Sequence, residues 1–209
     1  MNPSIATLNP DQLDWAKGDG LLPAIVQHAQ TGEVLMLGYM NAEALTATQQ
    51  TGHVTFFSRS KQRLWTKGES SGHVLALQSI RVDCDADTLL VGALPHGPTC
   101  HTGTSSCFGN HVAPPLGFLA ELDALVAQRD AERPAGSYTT RLFEGGVRRI
   151  AQKVGEEGVE TALAGVAQGD ADLLGEAADL LFHLTVLLRA RGRSLADVAD
   201  LLAARHAAK

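Results

Sequence analysis

Residues 110–116 read Asn-His-Val-Ala-Pro-Pro-Leu, and the pair Pro114-Pro115 within them divides the chain. Proline fixes its own φ and donates no backbone hydrogen bond, so two in succession continue neither a helix nor a central strand. The two sides of this stretch follow different patterns. Residues 1–112 hold all three cysteines, six of the eight histidines and both tryptophans. Their apolar runs have strand length and lie between turn residues. Residues 113–209 are rich in Ala and Leu at helical spacing. The expected organisation is a linker over 110–116 and two domains, 1–112 and 113–209. The first is α+β and the second is an all-α helical bundle.

In the first domain, Leu22–His28 and Glu33–Tyr39 flank Gln30-Thr31-Gly32 as a hairpin. Asn41 caps a helix over Ala42–Gln50 that stops at Gly52. Strands are expected over His53–Ser58, His73–Asp83 and Thr88–Leu94. The second domain predicts helices over Leu116–Arg129, Arg141–Ala167, Asp172–Arg189 and Ser194–Ala207, the last opened by a capping box of Ser194 and Asp197.

Composition excludes several classes. With 44% apolar and 19% charged residues among 209, the chain is neither disordered nor collagen-like. A net charge of −6 disfavours a nucleic-acid partner. The longest strongly apolar run, Leu180–Leu188, is broken by His183 and is too short to span a bilayer. Residues 1–15 have no basic start followed by an apolar stretch, so no signal peptide and a cytoplasmic location are expected. The odd cysteine count fits that compartment better than a disulfide framework.

All three cysteines fall between positions 84 and 107, beside the acid triplet Asp83-Cys84-Asp85-Ala86-Asp87. In an extended backbone, Asp83, Asp85 and Asp87 share one face and Cys84 points to the other. Three carboxylates so close need a cation or water, and hard oxygen donors suit Mg²⁺ or Ca²⁺. An EF-hand is rejected, because the sixth and twelfth positions counted from Asp83 are Thr88 and Leu94. A solvated acidic turn remains open. Cys100 and Cys107 enclose six residues, and Cys84 would complete a three-thiolate zinc site with a fourth position for water, the arrangement of a catalytic zinc. Three buried free thiols are the rival reading. On an extended strand Cys84 faces away from the aspartates, which leaves it to complete a site elsewhere, such as across a dimer interface. The glycine-bounded loop Lys67-Gly68-Glu69-Ser70-Ser71-Gly72-His73, with Arg59 nearby, can cradle phosphate.

The helical domain carries a second set of acids. Glu157 and Glu160 share one helix face, and Glu176 and Asp179 share another. If the two helices fold back about position 168, Glu157 lies level with Asp179 and Glu160 with Glu176. These acids interrupt apolar stripes, and no basic partner is evident in the cluster, which argues for Mg²⁺ over a solvated charged face. Arg148, Arg149 and Lys153, upstream on the same helix, are candidates for a polyphosphate. His183 reads as a core histidine satisfied by a neighbour. The apolar run around it predicts a bundle shared with a second chain.

Together these residues carry a resemblance. Residues about 15–112 resemble phosphoribosyl-AMP cyclohydrolase through Phe56–His73 (FFSRSKQRLWTKGESSGH), Val82–Asp87 (VDCDAD) and Cys100–Phe108 (CHTGTSSCF). Residues about 116–209 are similar to phosphoribosyl-ATP pyrophosphohydrolase of the all-α NTP-pyrophosphatase type through Lys153–Glu160 (KVGEEGVE) and Glu176–Leu188 (EAADLLFHLTVLL). The order is that of the bifunctional histidine-biosynthesis enzyme. One departure is Phe182-His183, where the family pattern has Tyr-His. The resemblance implies release of pyrophosphate from phosphoribosyl-ATP in the second domain, with Mg²⁺ on Glu157, Glu160, Glu176 and Asp179 and Glu156 as a base candidate. It implies opening of the purine ring of phosphoribosyl-AMP at N1–C6 in the first. There Zn²⁺ would sit on Cys100, Cys107 and the Cys84 of a dimer partner, and Mg²⁺ on Asp83, Asp85 and Asp87. His101, with His73 second, is the candidate proton shuttle. The alternative is a housekeeping nucleotide pyrophosphatase whose first domain is only a zinc-stabilised dimerisation module.

Overall fold

The computed structural model describes residues 8–110 and 113–207. Residues 1–7, where no signal peptide is expected, and the His111-Val112 part of the linker lie outside the described residues. The chain divides into two compact units, Met1–Gly117 and Phe118–Lys209.

In the first unit, β1 (Leu22–His28) and β2 (Val34–Met40) form an antiparallel hairpin. Its turn needs Gly32, whose φ of 77° is unfavourable for other residues. α1 (Ala42–Thr51) starts under Asn41, whose side chain accepts from Ala44 N, and stops at left-handed Gly52. Next come β3 (Thr55–Ser58), β4 (Arg63–Thr66), β5 (Leu75–Val82) and β6 (Leu89–Pro95). The main sheet has the order β2-β1-β6-β5, with β1 and β6 parallel and the other neighbours antiparallel. β3 and β4 form a separate two-stranded sheet. Two short 3₁₀ turns, Pro10–Gln12 and Trp15–Gly18, precede β1. They and β4 were not expected from the sequence.

Period-two alternation aims one face of the main sheet inward. Leu22, Ala24 and Val26 of β1 and Leu89, Val91 and Ala93 of β6 are fully buried. They pack with Leu45 of α1, Phe56 of β3 and Leu75 of β5 in one core. Each large side chain buried this way contributes roughly 1.5–3 kcal/mol.

The acid triplet is not extended. Residues 83–87 form the turn between β5 and β6, with Ala86 at φ 63°. Asp83 Oδ1 accepts from the backbone N–H of Asp87 and of Thr88, both at 3.0 Å. This side-chain-to-backbone bonding competes with strand extension and wins. The face-alternation argument for Cys84 therefore does not apply.

The second unit contains α2 (Gly117–Glu132), α3 (Tyr138–Ala167), α4 (Asp170–Ala190) and α5 (Leu195–Ala207). α3 starts at Ser137, whose side chain accepts from Thr140 N, and is broken by a kink at Gly146. Gln168 and Gly169 alone join α3 to α4, so the two helices run side by side. Ser194 and Asp197 exchange hydrogen bonds at the start of α5, as the sequence predicts. The core of this unit is small: Val126, Leu142, Ile150 and Val186. No described helix is long and apolar enough to cross a membrane.

One glycine tests the first core. A Cβ on Gly38 would clash with one edge of the Phe56 ring, 2.5 Å from its Cε1, and Phe56 is only 2% exposed. Gly38→Ala is expected to destabilise the first unit by roughly 1–3 kcal/mol through this overpacking. Both tryptophans, Trp15 and Trp65, lie in that unit, so a urea titration followed by their fluorescence reads it alone.

Candidate active sites

Two loops of the first unit form a cleft of about 530 Å³. The first loop follows β4. Lys67 is buried; its backbone N–H donates to Val54 O and its Nζ to His73 O at 3.1 Å. Gly68 lets the loop close, since a Cβ there would lie 2.5 Å from the carbonyl of His73 and φ is 89°. The second loop follows β6 and is anchored on β2. Ser106, fully buried, donates to Val34 O, Cys107 N–H donates to Leu35 O, and Ser105 donates to the Glu33 carboxylate. Of the residues singled out in the sequence, Lys67, Gly68, Glu69, Ser70, Ser71, His73, Cys100, His101 and Cys107 all wall this cleft. Arg59 does not. Its guanidinium lies 3.8 Å from the centre of the Tyr39 ring, a cation–π contact. Glu69 is paired with Arg63, which holds its carboxyl below the usual range.

The thiols of this cleft are unequal. The Thr102 hydroxyl donates to Cys100 Sγ at 3.1 Å and, with the Thr102 backbone, pulls its pKa down to about 6. Burial pushes the Cys107 thiol up, and the neighbouring Cys100 pushes it the same way. Burial lowers Lys67, while the two thiols pull it back up. His101 Nδ1 is 3.8 Å from Cys100 Sγ. Thr99 was missed in the sequence. It walls the cleft at 2% exposure, and its hydroxyl has no hydrogen-bond partner among the described residues. A buried hydroxyl left unpaired costs about 1–3 kcal/mol. The orphan, the soft thiol pair and the polar loop fit a cleft that receives a metal and a polar ligand. Among the described residues, no third His, Cys, Asp or Glu joins Cys100 and Cys107 at metal-holding distance. Cys84 is exposed on the β5–β6 turn.

That turn gathers Asp83, Asp85 and Asp87, with one oxygen of each within 4.8 Å of the others. The Lys17 ammonium donates to Asp85 at 2.7 Å and to Asp87 at 3.2 Å, and the two carboxylates raise its pKa. Lys17 lies far upstream, and no sequence signal tied it to the triplet.

In the second unit, Glu157, Glu176 and Asp179 also bring oxygens within 4.8 Å of one another. Glu160 feels both Glu157 and Glu176; burial and these two carboxylates raise its pKa. The expectation of no basic partner is corrected: Lys153 Nζ lies 2.7 Å from Glu157 and 2.9 Å from Glu156. It lowers the pKa of both carboxyls and is itself raised. The i,i+3 and i,i+4 spacings that make these pairs were present in the sequence. Arg148 and Arg149 are exposed one to two turns upstream. His183 is buried, as expected, and Tyr138 supplies it with a phenol contact at 2.9 Å.

The comparisons with known proteins agree with this division. Residues 36–109 match the family model of phosphoribosyl-AMP cyclohydrolase, and residues 119–206 match that of phosphoribosyl-ATP pyrophosphohydrolase. The histidine biosynthesis bifunctional protein HisIE of Xanthomonas campestris pv. campestris is 71% identical over 94% of this chain and 94% of its own length. Those of Salmonella typhimurium and Escherichia coli are 60% and 59% identical over 93% of this chain and 96% of their own. The chain belongs to the HisIE family of bifunctional histidine-biosynthesis enzymes. Two hydrolytic activities follow for a HisIE chain, a cyclohydrolase and a pyrophosphohydrolase. A housekeeping pyrophosphatase with an inert first domain is thereby set aside.

The thiol asymmetry of this HisIE chain is measurable. The thiolate is the reactive form, so a lowered pKa keeps Cys100 reactive at neutral pH and loses that reactivity only as pH falls through about 6. In chelator-stripped protein, iodoacetamide should label Cys100 with a midpoint near pH 6, with Cys107 lagging. Thr102→Val should move the Cys100 midpoint upward. Peptide mass spectrometry across a pH series reads all three cysteines.

Proposed function

We propose that the cleft of the first unit opens the purine ring of phosphoribosyl-AMP at N1–C6, and that the acids of α3 and α4 serve pyrophosphate release from phosphoribosyl-ATP. The observation that carries this reading is the separate assembly of two donor sets. One unit pairs two thiols with a polar loop, and the other sets carboxylates level across a helix pair. Thiolates suit Zn²⁺, and carboxylates suit Mg²⁺. Cys100 and Cys107, with Cys84 of a second copy, would hold Zn²⁺. Asp83, Asp85 and Asp87 would hold Mg²⁺, as would Glu157, Glu160, Glu176 and Asp179. Bound there, such ions polarise the attacked centre and lower the pKa of water.

The chain's own residues supply the rest. His101, beside Cys100, carries the proton toward the leaving ring nitrogen, and His73 on the cleft wall is the second candidate. Lys67, Gly68, Glu69, Ser70 and Ser71 bind the phosphoribosyl phosphate, with Arg59 at greater distance. In the second unit, Arg148 and Arg149 receive the polyphosphate. Glu156 is the base candidate for the attacking water; its pairing with Lys153 keeps it ionised and lowers its proton affinity. A homodimer is supported by the apolar surface of the helical unit, where Val159, Leu163, Val166 and Leu174 are each at least 54% exposed. Three unpaired cysteines fit the reducing cytoplasm.

A spectroscopic assay with phosphoribosyl-ATP, Mg²⁺ and trace Zn²⁺, following pyrophosphate and ring opening together, tests the assignment. Cys107→Ala should reduce ring opening by roughly 100-fold or more and spare pyrophosphate release, and Glu160→Gln should do the reverse. Loss of both activities from either substitution, in folded protein, would overturn the two-site reading. A separate outcome concerns Lys17, which occupies oxygens that a cation would need. Its exposed ion pairs are weak, so Lys17→Met should tighten Mn²⁺ binding at the aspartates by only about 2–5-fold, read by calorimetry.

A further inference from the structure

Among the described residues, His183 is the one buried titratable side chain beside the helical acids to which the proposed chemistry gives no task. It lies on α4, one turn after Asp179. Its Nδ1 is 2.9 Å from the backbone oxygen of Asp179 and 3.6 Å from Glu157 Oε1. Both neighbours can only accept, so Nδ1 carries a hydrogen. The bond goes to the Asp179 carbonyl, and the longer approach to Glu157 is electrostatic. On the far edge of the ring, Nε2 is 2.9 Å from the Tyr138 hydroxyl. With Nδ1 holding the hydrogen, Nε2 of the neutral ring accepts, and Tyr138 O–H donates.

The ring is held from its sides as well. Tyr138 and Phe182 stack on each other and meet the imidazole edge-on, with centroids 5.9 Å and 5.2 Å from it. Tyr138 stands at the start of α3, before the Gly146 kink, whereas Glu157 lies well beyond that kink. The imidazole thus joins three places: the first turn of α3, the backbone at Asp179, and the buried carboxylate of Glu157. Lys153 Nζ and His183 Nδ1 both approach Glu157 Oε1.

We infer that His183, oriented by the Tyr138 hydroxyl, is a positioning residue that fixes Glu157 and Asp179 relative to each other for cation binding. It acts through the two acids and touches neither substrate nor ion. The inference rests on the reading of the helical acids as a metal site. Partners that orient metal ligands in this way typically contribute 10–100-fold in affinity.

Mn²⁺ binding to the full chain, measured by electron paramagnetic resonance, provides the test. Glu176→Gln first identifies the component that belongs to the helical acids. That component should weaken by roughly 10–100-fold in His183→Leu, which keeps the bulk but removes both nitrogens. His183→Asn, whose amide N–H can take the place of Nδ1–H, should recover most of the loss. Tyr138→Phe removes only the hydroxyl from a side chain that is 44% exposed. By leaving Nε2 of buried His183 unpaired it should lower the thermal midpoint by only several degrees and weaken binding by a few-fold, and it serves if the His183 variants fail to fold. In Tyr138→Phe and His183→Asn, pyrophosphate release should recover when Mg²⁺ is raised. If Glu176→Gln removes no Mn²⁺ component, the metal-site reading falls and the inference falls with it. If that component exists but His183→Leu and Tyr138→Phe leave it unchanged, only the inference falls. The same holds if Asn rescues no better than Leu in folded protein.

Discussion

Each of the three candidate donor clusters of this HisIE chain has a lysine ammonium beside it. Lys17 joins Asp85 and Asp87, Lys153 joins Glu156 and Glu157, and Lys67 reaches into the field of Cys100 and Cys107. Carboxylates or thiolates held together repel, and the repulsion grows as water is removed. A fold that gathers them must supply positive charge or protonate them. Here lysines supply the positive charge, and Glu160, with no lysine bonded to it, is the acid whose pKa rises. The ammonium is a compact charge on a flexible stem, so it can balance an acid group and still yield to a harder cation. Lys67 differs from the other two. It is buried, its ammonium is tied to the His73 carbonyl, and burial works against its charge. It is built as a fixed wall of its cleft.

Most of the architecture was legible because it rests on local rules. Apolar runs of strand length between turn residues marked β1 and β6, Asn41 and Gly52 marked both ends of α1, and Ser194 with Asp197 marked the start of α5. β4 escaped for a physical reason. It spans four residues, pairs only with β3 and buries no face completely, so it has no alternation to read. The acid triplet misled in the opposite way. Its alternation imitates a strand, yet aspartate is a poor strand former, and Asp83 turns its carboxylate onto the backbone of Asp87 and Thr88. The three acids meet because the chain turns there, not because it extends.

The helical acids were legible for a different reason. A two-residue connection leaves little freedom in how α3 and α4 align, so counting from position 168 sufficed to bring Glu157, Glu176 and Asp179 together. Lys153 was also within reach of counting, since it lies three and four residues before its partners. Contacts between distant segments were not. Lys17 meets Asp85 across 68 positions, and Tyr138 meets His183 across 45. Nothing local in either segment announces the other.

Polar side chains occupy much of the interior of the helical unit, and that placement limits its apolar core. Among the described residues, Val126, Leu142, Ile150 and Val186 form that core, while Glu157, His183 and Thr185 take up other interior positions. Hydrogen bonds to polar neighbours do there what apolar contacts do in the first unit: they set which side chain sits where. Such bonds are directional, so they specify geometry more sharply than packing does, but they add little net stability. The exposed leucines and valines of α3, α4 and α5 supply the remaining apolar area, and they can contribute it only when another surface covers them. A second copy of the chain would do so and would leave the acids fixed in a bundle larger than one chain provides.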